Sequence, residues 1–109
     1  MNVRFSDHAL RCRVTSAELE RLLSGRAVEL QVALPRDHTF RVNVRPAAFD
    51  GWQLDSDPTG VWLTIPRGDL EGLAQNLPAR EGIERSFDTA GGGRVHVSFE
   101  VDVKERPAG

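Results

Sequence analysis

The sequence predicts an α+β fold of about eight short, mostly antiparallel strands and two short helices. Three observations lead to this prediction. Apolar and polar residues alternate along most of the chain, which is the periodicity of half-buried strands. The alternation gives way twice to leucines at helical spacing. Proline, glycine and aspartate separate these segments in the manner of turn residues.

The bulk composition fits one folded domain. Of the 109 residues, 39% are hydrophobic and 28% are charged, an ordinary balance for a globular protein. We expect a single domain over residues 1–106 and a frayed tail over residues 107–109. The formal net charge of -2 provides no overall basic field, so nucleic acid is not an expected partner.

The sequence predicts a cytoplasmic protein without membrane association. No apolar run reaches the roughly 18 residues that a transmembrane helix needs. Residues 1–8 lack the apolar core of a secretory signal. Cys12 is the only cysteine, so an internal disulfide cannot form, as is usual for a reducing compartment.

The first half of the chain reads as a hairpin, a capped helix and a second hairpin. One strand phase of the first hairpin is apolar: Val3, Phe5, Leu10, Cys12 and Val14. Thr15 and Glu18 then form a capping box for a helix over about residues 15–24, which Gly25 ends. Alternation resumes on both sides of a turn at residues 35–38, and we expect Pro46 to end the second of these strands because proline cannot donate to a ladder.

The second half has the same order of elements. Residues 52–54 are expected to form a short strand, and the alternation of residues 61–65 predicts a clear one. Pro66 is expected as the first residue of a helix that Pro78 closes. The final hairpin is predicted at residues 83–89 and 94–104, on either side of three consecutive glycines.

These two halves suggest an internal duplication. Residues 10–22 align with residues 61–73 without a gap, so that strand end, helix start and helical leucines coincide. We therefore predict pseudo-repeats over about residues 1–46 and 52–104, forming a strongly twisted sheet or half-barrel. The pattern leaves open whether that sheet closes.

Several segments resemble a family of small uncharacterised bacterial proteins. Those proteins begin with an Ile-Arg strand, a Leu-Arg-x-Arg-Leu strand and a Thr-x-x-Glu helix start. The matching segments here are Val3-Arg4, Leu10-Arg11-Cys12-Arg13-Val14-Thr15 with Glu18, Val61-Trp62-Leu63-Thr64-Ile65-Pro66, and Ile83-Glu84. The family's acidic-Lys-Asp-Phe ending is absent. The resemblance implies one domain and a bacterial source, and it supplies no activity, cofactor or site residue.

The polar strand phase carries a candidate anion-binding face. Its members are five arginines: Arg4, Arg11, Arg13, Arg41 and Arg45. Guanidinium groups match the geometry of phosphate and carboxylate. His96 and Trp62 fall on the same phase. The alternative, which the sequence favours, is a solvated face whose arginines pair with acidic residues across strands, Glu100 among them.

A second resemblance points to metal-dependent chemistry. Glu100, Asp102 and Lys104 share one side of the last strand, as in the Glu-x-Glu-x-Lys strand of the triphosphate-tunnel metalloenzymes. That family has a barrel of about eight strands, in which the carboxylates hold a divalent cation. The family carries the motif on its N-terminal strand, whereas here it lies at the end of the chain, so a phosphohydrolase is only a minor alternative.

The remaining candidates give no catalytic or metal site. Asp7-His8 and Asp37-His38 are repeated turn pairs that we expect at opposite ends of the sheet. Cys12 belongs to the apolar phase and has no neighbouring base. The sequence therefore predicts no catalytic residue, metal ligand or cofactor. The leading hypothesis is a non-enzymatic binding or interaction domain, with a protein partner or a second copy of the chain; a small-anion binder is the alternative.

Overall fold

The computed structural model describes residues 1–77 and 82–102 of the chain. Within these residues it contains eight strands and two helices, which confirms the predicted α+β class. In chain order they are β1 (Asn2–Ser6), β2 (Ala9–Val14), α1 (Ser16–Leu23), β3 (Val28–Leu34), β4 (His38–Ala47), β5 (Gln53–Asp57), β6 (Gly60–Pro66), α2 (Arg67–Gln75), β7 (Ile83–Asp88) and β8 (Arg94–Val101). Neither helix has the length and apolar character that spanning a membrane requires.

The strands form two open four-stranded sheets instead of the single twisted sheet or half-barrel that the sequence predicted. The first sheet has the order β1-β2-β8-β7, and the second has the order β3-β4-β6-β5. In each sheet two antiparallel hairpins meet along a central parallel pair, β2 with β8 and β4 with β6. Each sheet therefore takes one hairpin from each half of the chain.

The two sheet orders are equivalent. The equivalent strands are β1 and β5, β2 and β6, β7 and β3, and β8 and β4. Replacing each strand of the first sheet by its equivalent gives the order of the second sheet. The helices make the exchange possible, because α1 leads from β2 in the first sheet to β3 in the second, and α2 leads from β6 back to β7. The two helices also pack against each other.

One contiguous core joins both sheets and both helices. Leu19 and Leu22 of α1 are buried, as are Leu70 and Leu73 of α2. Each such side chain contributes about 1.5–3 kcal/mol through removal of apolar surface from water. The strand residues with no or almost no exposed surface are Cys12, Val14, Val28, Val44, Leu63, Ile65, Val97 and Phe99. The burial of Cys12 confirms its predicted place in the core.

The predicted capping box is present at the start of α1. The Glu18 backbone N–H donates to Thr15 Oγ1 at 3.1 Å, and the Thr15 N–H donates to Glu18 Oε1 at 2.9 Å. The N-terminal ammonium of Met1 also donates to Glu18 Oε2 at 2.9 Å. Burial alone would raise the pKa of Glu18, but these hydrogen bonds and the nearby positive charge outweigh it and lower the pKa.

Two prolines were assigned wrongly from the sequence. β4 does not end at Pro46 but continues to Ala47. β3 pairs with β4 only as far as Val44. Beyond that point β6 is the one neighbour of β4 among the described strands, so fewer backbone donors are needed. Pro66 is the last residue of β6, and α2 begins at Arg67.

Some predicted features lie outside the described residues. These are the helix end at Pro78, the last residues of the final strand at 103–104, and the tail at residues 107–109. Inside the described range, β8 ends at Val101, and the strand that was expected at residues 52–54 is β5, at Gln53–Asp57.

Candidate functional site

The outer face of the first sheet carries the strongest candidate site. Strand alternation sends Leu10 and Cys12 into the core and leaves Arg11 exposed on the opposite face. The register then sets one row of side chains across all four strands: Arg4 on β1, Arg11 on β2, Ser98 on β8 and Glu84 on β7. This row is the centre of the site.

Arg4 and Arg11 are direct cross-strand partners. Side chains in such a pair have Cβ atoms roughly 4.5–5.5 Å apart, and like charges in that position destabilise a sheet. Within residues 1–77 and 82–102, neither guanidinium makes an ion pair, a hydrogen bond or a ring contact. Among the described residues, these two adjacent cations therefore have no compensating partner.

A shallow depression adjoins these arginines. It has a volume of about 350 Å³, and its lining includes Arg4, Arg11, His96 and Ser98. Ligand pockets usually measure about 300–1,000 Å³, so the space suits a small molecule or a single anionic group. Phe5, Ser6, Ala9 and Glu84 complete the lining.

His96 is held in place at one side of the depression. Its Nε2 lies 3.2 Å from Glu84 Oε1, and its Nδ1 lies 3.0 Å from Ser86 Oγ. With a proton on Nε2, the ring donates to Glu84 and accepts from the Ser86 hydroxyl. The side chains of His96 and Glu84 are 49% and 60% exposed, so this Ser-His-Glu array lacks the desolvated setting that activates a serine nucleophile.

Arg13 is excluded from the site by a partner of its own. Its Nη2 and Nε lie 2.8 Å and 2.9 Å from Glu100 Oε1, in the next row of the same sheet. This is the acidic cross-strand pairing that the sequence favoured for the arginine face. Arg13 is consequently neutralised, whereas Arg11, two residues earlier on the same strand, is not.

The structure places the other two predicted arginines in the second sheet. Arg41 Nε lies 3.9 Å from Glu29 Oε1, and Arg45 Nε donates to Thr64 Oγ1 at 3.2 Å. The five arginines of the predicted face are therefore divided between two sheets. Arg4 and Arg11 are brought together, and neither has an acidic partner in the part of the chain that the structure describes.

A larger depression lies at the turn end of the second sheet. Its volume is about 670 Å³, and Asp37, His38, Phe40 and Arg41 are among its lining residues. Asp37 has a positive φ of 59°, in the tight turn between β3 and β4. The lining of this depression contains both an acidic residue, Asp37, and a basic one, Arg41. The depression therefore does not present the uncompensated positive charge of the Arg4–Arg11 pair.

The two metal-based ideas receive no geometric support from the described residues. Asp7-His8 lies on the turn between β1 and β2 in the first sheet, and Asp37-His38 lies at the β3–β4 turn of the second. The part of the chain that the structure describes holds no group of three or more side chains placed to share a metal ion.

The triphosphate-tunnel hypothesis also conflicts with the architecture. The described strands form two open sheets and not the closed barrel of about eight strands that this mechanism requires. Glu100 is bonded to Arg13, and Lys104 lies outside the described residues.

Cys12 has the properties of a structural thiol. It is fully buried, and burial raises its pKa to about 12. A thiol in that state is almost entirely protonated at neutral pH, so it is a poor nucleophile and a poor metal ligand. This agrees with its assignment to the core.

Sequence reasoning missed the cluster around Trp52. Its Nε1 donates to Asp69 Oδ2 of α2 at 2.7 Å, and the Arg85 guanidinium lies 5.3 Å from the centre of its ring. Arg85 also approaches Asp69 at 3.7 Å. The cluster ties α2 to β7 and to the loop before β5. Sequence reasoning also missed the Glu84–Ser86 contribution to the site, although their alternation on β7 is a signal that could have identified it.

Comparison with known proteins gives a family but no activity. No curated protein and no solved structure matches this chain. The profile of a family of unknown function matches residues 1–105, which agrees with the predicted resemblance to an uncharacterised family. The chain belongs to that family of unknown function, DUF7009.

Proposed function

We propose that this chain is a non-enzymatic binding domain that holds a small anion, a phosphate or a carboxylate, at Arg4 and Arg11. One observation carries the proposal: the two arginines face each other across β1 and β2, and neither has an acidic partner among the described residues. An anion between them would turn a repulsive pair into two charge-assisted hydrogen-bonding groups.

The surroundings support a small, singly placed anionic group. Ser98 and Ser6 supply hydroxyls around the depression, and the fixed His96 ring forms one side. Glu84 is the acidic member of the lining, but it lies two strands from Arg11, roughly 10 Å away at the usual strand spacing. Its Oε1 also lies 3.2 Å from His96 Nε2 and is turned toward that ring. A negative ligand can therefore sit over the arginines without direct repulsion.

The test is a thermal-shift screen with inorganic phosphate, pyrophosphate and simple mono- and dicarboxylates. A ligand at about a hundred times its Kd should stabilise the folded state by about 2.7 kcal/mol. We expect this shift to disappear in Arg11→Gln and to persist in Arg21→Gln, which removes an exposed arginine from helix α1, outside the sheet that carries the site. Without ligand, Arg11→Gln should raise stability slightly, by about 0.2–1 kcal/mol, because it removes the repulsion.

Two results would overturn the proposal. A screen in which no anion raises the melting temperature would remove its basis. An anion-induced shift of equal size in Arg11→Gln and in the unsubstituted chain would place binding elsewhere.

We also infer that residues 1–106 form one bacterial, cytoplasmic domain with an internal duplication over about residues 1–46 and 52–104. The gap-free match between residues 10–22 and 61–73 supports the duplication, as do the equivalent strand orders of the two sheets. The buried, protonated thiol of Cys12 is compatible with a reducing cytoplasm. Separate alignment of the two halves in related sequences would test the duplication, since duplicated halves should share their buried positions.

A further inference from the structure

The edge strand β3 continues an apolar face beyond the core. Val28 is buried, but Val32 and Leu34 on the same face are each 46% exposed. Phe40 is the cross-strand partner of Val32, and its ring lies edge-on to Phe5 of the first sheet at a centroid distance of 6.3 Å. Phe5 is 58% exposed. We call these four side chains, Phe5, Val32, Leu34 and Phe40, the β3 patch.

The backbone edge of β3 is the longest of the four sheet edges, with seven residues, and it has the fewest charges for its length. Edge strands usually avoid pairing by carrying charged residues, prolines or bulges. β1 carries Arg4, β5 carries Asp55 and Asp57, and β7 carries three charged residues. β3 carries only Glu29, and it pairs with β4 in unbroken register over its whole length.

The one charge on β3 is already satisfied within the chain. Gln31 Nε2 donates to Glu29 Oε1 at 2.6 Å, and Asn43 Nδ2 donates to Glu29 Oε2 at 3.1 Å. These hydrogen bonds are the largest cause of the lowered pKa of Glu29. In the described sheet, the outer edge of β3 therefore presents an almost neutral strand with alternating apolar side chains.

We propose that β3 pairs antiparallel with β3 of a second copy of this chain, about a two-fold axis at Val32. In this register Val32 meets its own copy, and Leu30 meets Leu34 of the second copy. Glu29 meets Pro35, so the two Glu29 carboxylates remain apart. The two β3 patches become one continuous apolar surface. The occupant is a second copy because the strand is complementary to itself, as a closed two-fold interface requires.

The test measures molecular mass by light scattering across a wide range of protein concentration. The unsubstituted chain should approach twice its monomer mass of 12.1 kDa as concentration rises. Val32→Lys should raise the dissociation constant by at least about tenfold, because it sets two lysines directly opposite each other. Phe49→Lys is the matched control: Phe49 is 56% exposed but lies outside the patch, so its substitution should leave the dimer intact.

A charge-swap experiment separates this interface from a folding defect. Val32→Lys and Val32→Glu should each stay monomeric, and an equimolar mixture of the two should recover the dimer mass, because position 32 meets itself across the axis. Val32 is half exposed in the single chain, so both variants should keep the thermal melt of a folded protein.

Three results would overturn the proposal. The first is an unsubstituted chain that remains monomeric at every concentration; the β3 edge would then have to pair, if at all, with a strand of another protein. Val32→Lys could leave the dimer unchanged. The mixed variants could fail to associate while each remains folded.

Discussion

Arg11 and Cys12 are neighbours in the chain but meet opposite environments, because successive strand residues point to opposite faces of a sheet. Cys12 is fully buried in the core, whereas Arg11 is exposed beside Arg4. The electrostatic environment of an arginine on β2 also depends on the residue opposite it on β8. Arg13 shares the face of Arg11 and meets Glu100, while Arg11 meets Ser98. The residue opposite each arginine on β8 thus decides which guanidinium is available to bind an anion: Ser98 leaves Arg11 available, whereas Glu100 occupies Arg13.

Gly60 is the residue whose substitution we expect to be most damaging to the second sheet. A Cβ at this position would lie next to the Arg41 carbonyl oxygen and within 3.2 Å of the Arg41 nitrogen. These are backbone atoms of the neighbouring strand, so they cannot turn aside as a side chain can. Gly60→Ala should lower the free energy of unfolding by about 1–3 kcal/mol in urea denaturation, as overpacked sites do.

Gly72→Ala provides the control for that experiment. Gly72 lies inside α2, and a Cβ there meets no atom within 4 Å. Alanine favours a helix by about 0.5–1 kcal/mol over glycine, so this variant should be more stable. If both substitutions had the same effect, the close approach of β4 and β6 at Gly60 would not be the cause.

Among the elements, α1 depends most clearly on one side chain for its start. Glu18 accepts from Thr15 and from the N-terminal ammonium, and its folded pKa is lowered from the ordinary 4.5. A lowered folded pKa stabilises the fold above the unfolded pKa, and this stabilisation is lost as pH falls through the folded pKa. Glu18→Gln keeps the box geometry but removes the charge. We expect it to reduce urea stability at neutral pH by up to about 1 kcal/mol, and by less in acid.

Glu20→Gln is the corresponding control. Glu20 is exposed on the same helix and takes no part in the capping box. Its substitution should change stability little at either pH. A Glu18→Gln deficit that stayed constant down to strongly acidic pH would show that charge on Glu18 does not stabilise the helix start.

The strands and the start of α1 could be predicted from the sequence, but the neighbours of each strand could not. Alternation identified the strands, and the Thr15–Glu18 spacing identified the start of α1, because both are local consequences of backbone geometry. Strand neighbours are not local. Every hairpin presents the same kind of apolar phase, so the pattern cannot show that β2 pairs with β8. For that reason the five arginines were expected on one face and are divided between two sheets.

At the scale of the whole molecule, the exchange of hairpins makes each half depend on the other. β2 and β8 come from opposite ends of the chain, and the Arg13–Glu100 ion pair joins residues that are 87 positions apart. The second sheet repeats the arrangement with β4 and β6. Both parallel pairs are central strands, so neither sheet can lose one half without being reduced to a single hairpin.

This dependence gives a prediction for the separated halves, cut in the loop between β4 and β5 as residues 1–50 and 51–109. An isolated two-stranded hairpin is at best marginally stable in water, and each half would contain two of them with no central partner. We expect neither fragment to melt cooperatively as a monomer, whereas an equimolar mixture should recover a cooperative melt and a one-to-one complex. Circular dichroism follows the melt, and light scattering gives the stoichiometry. A monomeric fragment that folds cooperatively by itself would contradict the dependence of each half on the other, because it would have to pair its own two hairpins in one sheet.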